Sequence, residues 1–152
     1  AQAAAPCPLD LEIRDRELMT ETNETALLAS VVQLLINASD ATEPGQKPIR
    51  LMLARKTLLS PITAAQQTIP AGRYASLVIT DQGRGIDEAV LSQIFDPFFS
   101  TKALEQGGGM GLSVVIGFIQ ESASYITVQS EQGQGTTFTL LLPEAEPTVS
   151  AA

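Results

Sequence analysis

The sequence predicts an α+β fold, a two-layer α/β sandwich in which a mixed, mostly antiparallel sheet carries helices on one face. Three observations support this prediction. Short runs alternate apolar and polar residues, as is typical of half-buried strands. Longer runs repeat apolar residues at helical spacing. The strands are joined by hairpin-like connections rather than by regularly alternating helices.

Five strands and three helices are expected along the chain. The strands are predicted over residues 9–13, 49–53, 75–79, 125–129 and 136–142. Helices are predicted from about residue 23 to 41, over a short stretch 87–94 that Asp87 would cap, and over 112–122. Residues 58–73 contain Pro61, Pro70 and Gly72 and are interpreted as a long hairpin connection. Gly133 and Gly135 lie in the turn between the last two strands.

Length and composition indicate a single globular domain. The chain has 152 residues, of which 44% are hydrophobic and 17% are charged. Residues 1–8 are interpreted as a flexible N-terminal segment, 9–143 as the ordered domain, and 144–152 as a linker or tail. Since the chain does not begin with Met, we expect it to be a piece of a longer protein.

The charge balance argues against a nucleic-acid surface, because 17 acidic residues outnumber 9 basic ones and give a net charge of −8. No apolar stretch in the sequence reaches the ~18 residues that a membrane span needs. We therefore expect a cytoplasmic domain that makes no membrane contact of its own, within a parent protein that could be membrane-anchored.

The absence of histidine from the sequence excludes several kinds of site. A histidine general base, a histidine-ligated zinc and a Ser-His-Asp triad are all impossible. The P-loop pattern G-x-x-x-x-G-K-[ST] and the Rossmann pattern G-x-G-x-x-G are missing as well. Two glycine clusters, 81–85 and 107–111, instead suggest a purine nucleotide site of another kind.

An amide pair occupies one face of the first predicted helix, since Gln33 and Asn37 are four residues apart. An amide oxygen near the end of a buried helix suits Mg²⁺, which prefers oxygen ligands. The alternative is that Asn37 hydrogen-bonds to the local backbone, as asparagine often does.

A carboxylate and two glycines follow the third predicted strand, in the segment Asp81-Gln82-Gly83-Arg84-Gly85. Asp81 can accept a hydrogen bond from the exocyclic amine of a base, while Gly83 and Gly85 let the backbone pass close to a flat ring. The alternative is an ordinary turn, because Asp-x-Gly is common turn chemistry.

Three phenylalanines lie within five residues, in the segment Phe95-Asp96-Pro97-Phe98-Phe99-Ser100-Thr101-Lys102. In so acidic a chain, Lys102 is a candidate phosphate contact. The alternative is an apolar satellite cluster under a loop, followed by a solvated lysine.

A glycine-rich segment, 107–111, leads directly into the helix predicted at 112–122. Free backbone N–H groups at a helix N-terminus bind phosphate. A flexible linker is the alternative, but linkers do not usually run straight into an amphipathic helix.

These segments, in this order, resemble the N, G1, F and G2 boxes of sensor histidine kinases. The matching residues are 35–41, 81–86, 94–102 and 107–112, and 133–138 is similar to the closing segment of the same domain. The resemblance covers roughly residues 9–143 and implies the catalytic and ATP-binding domain, with the Bergerat fold. Residues 95–102 are similar to those of kinases of the nitrogen-regulation and hybrid type.

The resemblance implies a role for each motif. Asp81 would bind the adenine amino group, and Asn37 would hold Mg²⁺ against the phosphates, with Gln33 as a second candidate ligand. Lys102 would contact the phosphates and, with Asn37, be catalytic. Gly107, Gly109 and Gly111 would form the hinge of a mobile ATP lid. The other residues expected at the nucleotide are Ala41, Gly83, Gly85, Ile86, Phe98, Met110 and Leu112.

Three positions depart from the family pattern. Gln33 stands where many members have the shorter Asn. Asp40 stands where a basic residue is common, which shifts the expected phosphate contact to Lys102 and Arg84. The pair Ser122-Ala123 replaces a Gly-Gly before the penultimate strand and is expected to serve as a helix end.

The resemblance therefore implies a protein-histidine kinase module of two-component signalling. It would bind Mg-ATP and donate the γ-phosphoryl group to a histidine on a separate dimerisation and phosphotransfer domain, with a response regulator downstream. Such transfer depends on positioning and charge neutralisation and needs no protein nucleophile. The isolated domain is expected to be monomeric and, lacking histidine, unable to phosphorylate itself.

Two alternatives stand beside the kinase. An ATPase of the gyrase, mismatch-repair and chaperone group would carry a Glu one helical turn before the metal-binding Asn, where Gln33 cannot act as a base. A degenerate module that senses nucleotide or docks a partner is disfavoured by the presence of Asp81, Asn37 and the glycines.

Overall fold

The computed structural model describes residues 9–15, 18, 20, 22–42, 48–64, 67–86 and 112–145. The N-terminal segment 1–8, the predicted helix 87–94 and residues 146–152 of the predicted tail lie outside the described residues. So do six of the predicted site residues, which are Phe98, Lys102, Gly107, Gly109, Met110 and Gly111.

Seven strands and two helices form the described part of the chain. The strands are β1 (Leu9–Ile13), β2 (Ile49–Leu58), β3 (Ile62–Ala64), β4 (Gln67–Ile69), β5 (Gly72–Asp81), β6 (Tyr125–Glu131) and β7 (Gly135–Pro143). The helices are α1 (Glu24–Ala41) and α2 (Ser113–Ser122). Neither of these two helices is both long enough and apolar enough to cross a membrane.

Five of the strands form one mixed sheet, in the order β1-β2-β5-β7-β6. β1 runs parallel to β2, so that Leu9 pairs with Ile49 and Ile13 with Leu53. The pairs β2–β5, β5–β7 and β6–β7 are antiparallel. The prediction of a mixed, mostly antiparallel sheet is therefore confirmed.

The local signals in the sequence explain where α1 begins and which face it buries. Asn23 caps the helix, because its Oδ1 accepts a hydrogen bond from the Ala26 N–H at 2.9 Å. Leu34 and Ala38, four residues apart, are both buried in the core. This packing fixes the rotation of α1 about its axis and thus the direction of its polar residues.

Both helices lie on the same face of the sheet, as predicted. Alternate residues of a strand share a face, and Phe138 and Leu140 of β7 pack in one core cluster with Leu34 of α1 and Val115 of α2. The main core therefore lies between one helical layer and one sheet. This arrangement is the predicted two-layer α/β sandwich.

A second, smaller apolar cluster covers the opposite face of the sheet. Ile69 of β4 is completely buried there, against Leu58, Tyr74 and Leu141. Leu141 belongs to this face because its neighbours in β7 point into the main core. The Tyr74 hydroxyl donates to the Pro70 carbonyl at 2.6 Å and fixes the end of β4.

The connection 58–73 is more ordered than its sequence predicts. It contains the small antiparallel hairpin of β3 and β4, and β2 and β5 extend until Leu58 pairs with Gly72. Pro61 and Pro70 lie immediately outside β3 and β4, where a missing N–H costs no ladder hydrogen bond. The prolines therefore mark the limits of these strands rather than a loop without strands.

Arg55 of β2 joins the segment after β1 to the residue after β7. Its Nε and Nη2 donate to the two carboxylate oxygens of Glu144, at 2.9 and 2.8 Å. Its backbone N–H donates to the Asp15 carboxylate at 2.8 Å. The hydrogen bonds and charge of Arg55 lower the pKa of Glu144, so the pair stays ionised in mild acid.

Candidate functional site

A cavity of about 180 Å³ opens between the C-terminal half of α1, the loop after β5 and the start of β7. The predicted site residues that line this cavity come from different parts of the sequence. They meet because α1 packs over β5, so the last turn of the helix reaches the end of this strand. Five of the predicted site residues line the cavity: Asn37, Ala41, Asp81, Gly85 and Ile86.

Asp81 is the buried acid of this cavity, with 5% of the residue exposed. Its Oδ1 accepts a hydrogen bond from the Gly83 N–H at 2.8 Å, and Thr136 is its partner across the β5–β7 ladder. Burial raises the pKa of Asp81, while the backbone N–H groups of Gly83 and Thr136 and the Arg84 guanidinium act in the opposite direction. The result is a buried acceptor held in a fixed position.

Gly83 lets the last turn of α1 touch the loop after β5. A Cβ at this position would collide with the backbone carbonyl of Ala41. The next residue, Arg84, donates its N–H to that same carbonyl at 3.1 Å. The fold itself therefore requires glycine here, since any side chain would separate the helix end from the loop.

Gly85 makes a similar close approach to the turn between β6 and β7. Its φ of +76° lies in the left-handed region, and a Cβ would collide with the Glu131 carbonyl. The sequence suggests a flat ring as the reason for Gly83 and Gly85. The neighbours that require these glycines are instead protein backbone, and contact with a ligand stays a prediction for both.

Asn37 and Gln33 form a side-chain pair on α1. Nε2 of Gln33 donates a hydrogen bond to Oδ1 of Asn37 at 3.1 Å, so Asn37 bonds to a side chain rather than to the local backbone. Nδ2 of Asn37 is buried and has no hydrogen-bond partner among the described residues. A buried donor without a partner lowers the free energy of unfolding by roughly 1–3 kcal/mol. The stability of α1 therefore gives no reason for an amide at this position.

Arg84, which the sequence offers as a phosphate contact, is the only cation among the described residues that line the cavity. Four other lining residues were not predicted to contact the nucleotide: Ala38, Asp40, Thr136 and Phe138. Asp40 adds a second carboxylate to the cavity. Thr136 and Phe138 belong to the segment 133–138, whose similarity to the closing segment of the kinase domain was the signal that could have identified them.

Three predicted residues lie apart from the lining of the cavity. Leu112 is completely buried in the main core, directly before α2. Gln33 and Gly83 contact lining residues, Asn37 and Asp81 respectively, without lining the cavity themselves. In the part of the chain that the structure describes, no three acidic or cysteine side chains form a metal-binding cluster.

Comparison with known proteins places the chain in a family and gives several relatives. Residues 22–146 match the family described as histidine kinase-, DNA gyrase B-, and HSP90-like ATPase. The chain is 38% identical over 112 residues to the sensor kinase CckA of Brucella abortus (strain 2308), which covers 74% of this chain and 12% of that protein. It is 42% identical over 73 residues to the sensor histidine kinase ZraS of Escherichia coli (strain K12), covering 48% and 15%.

A third relative is the two-component sensor PprA of Pseudomonas aeruginosa, 34% identical over 119 residues, which are 77% of this chain and 12% of that protein. The chain thus spans only 12–15% of the length of these relatives. The family match includes α1, the Asp81 loop and the β6–β7 hairpin, and the five-stranded sheet with helices on one face agrees with the Bergerat fold. The chain belongs to the histidine kinase-, DNA gyrase B- and HSP90-like ATPase family.

Proposed function

We propose that this domain binds Mg-ATP in the cavity and donates the γ-phosphoryl group to a histidine on a separate dimerisation and phosphotransfer domain. The observation that carries the proposal is the buried Asp81 carboxylate, which shares one cavity with Asn37. The names of the three relatives, two sensor kinases and one two-component sensor, support the transfer step.

Asp81 would recognise the base. The N–H of Gly83 holds its carboxylate in place, and the remaining lone pairs can accept from an exocyclic amine. Adenine offers an amino group at its 6-position, whereas guanine offers a carbonyl oxygen there. We therefore expect the domain to prefer ATP to GTP.

The residues present fit a Mg²⁺ ion held between the protein and the phosphates. Mg²⁺ keeps several water or phosphate oxygens as ligands, so one or two oxygens from the protein suffice. Asn37 would supply its amide oxygen, which the Gln33 N–H orients, while its nitrogen, without a partner among the described residues, would donate to a phosphate oxygen. The amide oxygen of Gln33 is the second candidate ligand. Bound there, the ion would neutralise phosphate charge.

The phosphate end of the site would be completed by residues outside the described part of the chain. Arg84 lines the cavity and would contact the phosphates together with Lys102. Asn37 and Lys102 would be the catalytic residues, because phosphoryl transfer requires positioning and neutralisation of charge. The glycines of 107–111 would form the hinge of the lid. The residues proposed for these contacts are Phe98, Lys102, Gly107, Gly109, Met110 and Gly111.

One contact disfavours hydrolysis of ATP by this domain. A water molecule attacking the γ-phosphate would need a general base, and Gln33 occupies the position where the ATPases would carry a Glu. An amide cannot take up a proton at neutral pH, and this one donates to Asn37. The geometry thus favours transfer to an external acceptor.

We propose that the domain acts inside a longer kinase, cytoplasmic or anchored to a membrane by other segments. Its partners would be the dimerisation and histidine phosphotransfer domain of that protein and a downstream response regulator. The net charge of −8 disfavours nucleic acid as a partner. Alone, the domain is expected to be a monomer, which light scattering would measure.

Calorimetric titration with Mg-ATP tests the binding step. We expect the wild-type domain to bind and Asp81→Ala to abolish binding, because the buried acceptor for the adenine amine is removed. Asp10→Ala removes an exposed acid on β1 and is the matched control, expected to bind like the wild type. Unchanged affinity in Asp81→Ala would refute the assignment of adenine to this residue.

A label-transfer assay tests the second step. The domain is mixed with γ-labelled Mg-ATP and a histidine-bearing dimerisation fragment of the parent protein, and label is expected on the fragment. ATP binding without transfer would instead support a module that only senses nucleotide. Steady release of phosphate that persists in Gln33→Ala would indicate an ATPase and contradict the argument from Gln33.

A further inference from the structure

Ser130 of β6 connects the β6–β7 hairpin to the loop that carries Asp81. Its hydroxyl accepts a hydrogen bond from the backbone N–H of Ile86 at 2.7 Å. The same oxygen lies 2.8 Å from Oγ1 of Thr136 and 3.2 Å from the carbonyl oxygen of Gly135. One side chain therefore bridges the end of the loop and the first residues of β7.

The three contacts of Ser130 can be satisfied at the same time. A serine hydroxyl has one proton and two lone pairs. With Thr136 as the donor of their shared hydrogen bond, Ser130 accepts from Ile86 and Thr136 and donates to the Gly135 carbonyl. Thr136 in turn pairs with Asp81 across the β5–β7 ladder. Ser130 is thus linked to Asp81 through Thr136, and to the end of the loop 82–86 through Ile86.

Other contacts between the hairpin and the loop are made by backbone. The Gly133 N–H donates to the Arg84 carbonyl at 2.8 Å, and a Cβ on Gly85 would collide with the Glu131 carbonyl. Among the described residues, Ser130 supplies the one side-chain hydrogen bond from the hairpin to the loop 82–86. A substitution of Ser130 can therefore remove this hydrogen bond without disturbing the backbone contacts of Gly85 and Gly133.

We propose that Ser130 is a positioning residue for the nucleotide base, which acts through Ile86 and Thr136. Both of these residues line the cavity, whereas Ser130 does not. By holding them at a fixed separation around Asp81, Ser130 would set the shape of the wall against which the base lies. This inference rests on the proposed function, because it takes the base to lie at Asp81.

The test compares Ser130→Ala with the wild type, using Mg-ATP and metal-free adenosine as the two probes. Loss of a hydrogen bond of this kind is expected to weaken binding about two- to tenfold. Because Ser130 acts at the base, the affinities for both probes should fall by the same factor. Ser130→Thr keeps the hydroxyl and is expected to restore both affinities.

Ser124→Ala is the matched control. It removes a buried serine hydroxyl that bonds to Ser122 at 2.9 Å, next to α2 and outside the lining of the cavity. We expect it to leave both affinities unchanged. Amide hydrogen exchange gives a readout that does not depend on the ligand, since exchange at Ile86 should accelerate in Ser130→Ala and not in the control.

The outcomes separate this inference from the proposed function. Equal affinities in Ser130→Ala and the wild type, while Asp81→Ala abolishes binding, would overturn the positioning role alone. A loss confined to Mg-ATP would also overturn it, because the effect would then lie at the phosphates. Failure of the wild type to bind either probe would overturn the proposed function and the positioning role together. If Ser130→Ala does not fold, Ser130→Cys is judged by the same criteria.

Discussion

Nε2 of Gln33 lies 3.1 Å from Oδ1 of Asn37, one turn further along α1, so the donor end of one amide faces the acceptor end of the other. Since an amide can exchange its two ends only by turning over, this contact fixes which atom of Asn37 lies on which side. The nitrogen of Asn37 is left buried without a partner in the described part of the chain. In the proposed site, Gln33 thereby orients the oxygen offered to Mg²⁺.

Replacing Gln33 with Met removes the donor and nearly keeps the length of the side chain. We expect the gain in ATP affinity that Mg²⁺ provides to fall about two- to tenfold, because the Asn37 oxygen is no longer held. The affinity measured in EDTA should stay unchanged. Ile36→Met, on the exposed side of α1, is the control. Equal losses with and without Mg²⁺ would contradict a role at the metal.

Asp81 should make ATP binding and folding stability respond to acid in opposite directions. Burial raises its pKa above the usual value of 3.8, so ionisation is less favourable in the folded state than in the unfolded chain. As the pH falls through the raised pKa towards 3.8, protonation relieves this cost and the contribution of Asp81 to stability rises. The protonated carboxyl loses its role as an anionic acceptor, so ATP affinity falls in the same window.

The comparison with Asp81→Asn isolates this effect. Glu144 and Glu12 have lowered pKa values, so their contributions to stability are lost as the pH falls, and the total stability mixes both trends. Urea titration from pH 7 downwards measures the free energy of unfolding of the wild type and of Asp81→Asn. Subtracting one from the other cancels the contributions of Glu144 and Glu12, which both proteins share. A difference that does not change with pH would contradict the raised pKa.

Two glycine-to-alanine substitutions should change stability with opposite signs. Gly83→Ala places a Cβ where the Ala41 carbonyl stands, and is expected to destabilise the fold by about 1–3 kcal/mol. Gly117→Ala lies inside α2, where no described residue beyond the adjoining helix comes within 4 Å of the new Cβ, and is expected to stabilise the fold by roughly 0.5–1 kcal/mol. Urea unfolding measures both. A neutral Gly83→Ala would disprove the close contact between α1 and the loop.

Replacing Ala123 with glycine should stabilise the fold. It follows α2 with φ 54° and ψ 38°, the left-handed conformation that disfavours a Cβ, which confirms Ser122-Ala123 as a helix end. Relieving this conformation is expected to raise the free energy of unfolding by about 1 kcal/mol. Ala54→Gly in β2 is the matched control and is expected to destabilise, because its strand conformation does not favour glycine.

Much of the fold could be predicted because its signals are local. The helical spacing of apolar residues in α1, the alternation in β1 and the apolar run of β5 each depend on neighbours in the sequence. The β3–β4 hairpin could not be predicted in the same way. Its order depends on Ile69 meeting Tyr74 and Leu141, and the second of these lies more than seventy residues further along the chain.

The residues of the candidate site likewise differ in whether local sequence signals or long-range contacts explain them. Asp81 and Asn37 could be identified because a carboxylate at a strand end and an amide on a helix face suggest their chemistry directly. The reason for Gly83 could not, since it is the Ala41 carbonyl, brought close only by the packing of α1 on β5. The bridge formed by Ser130 likewise depends on the register of β6 with β7.

The contacts of Arg55 also bear on how the domain carries mechanical load. The chain enters the sheet at Leu9, level with Ile49, and leaves it after Pro143, level with Tyr74 at the other end. Tension between these points therefore acts along the strands in shear and does not peel them apart one bond at a time. That load is shared by the β1–β2 ladder and by the hydrogen bonds of Arg55 to Asp15 and Glu144. A pull from adjoining segments would be transmitted through the domain before it unfolded.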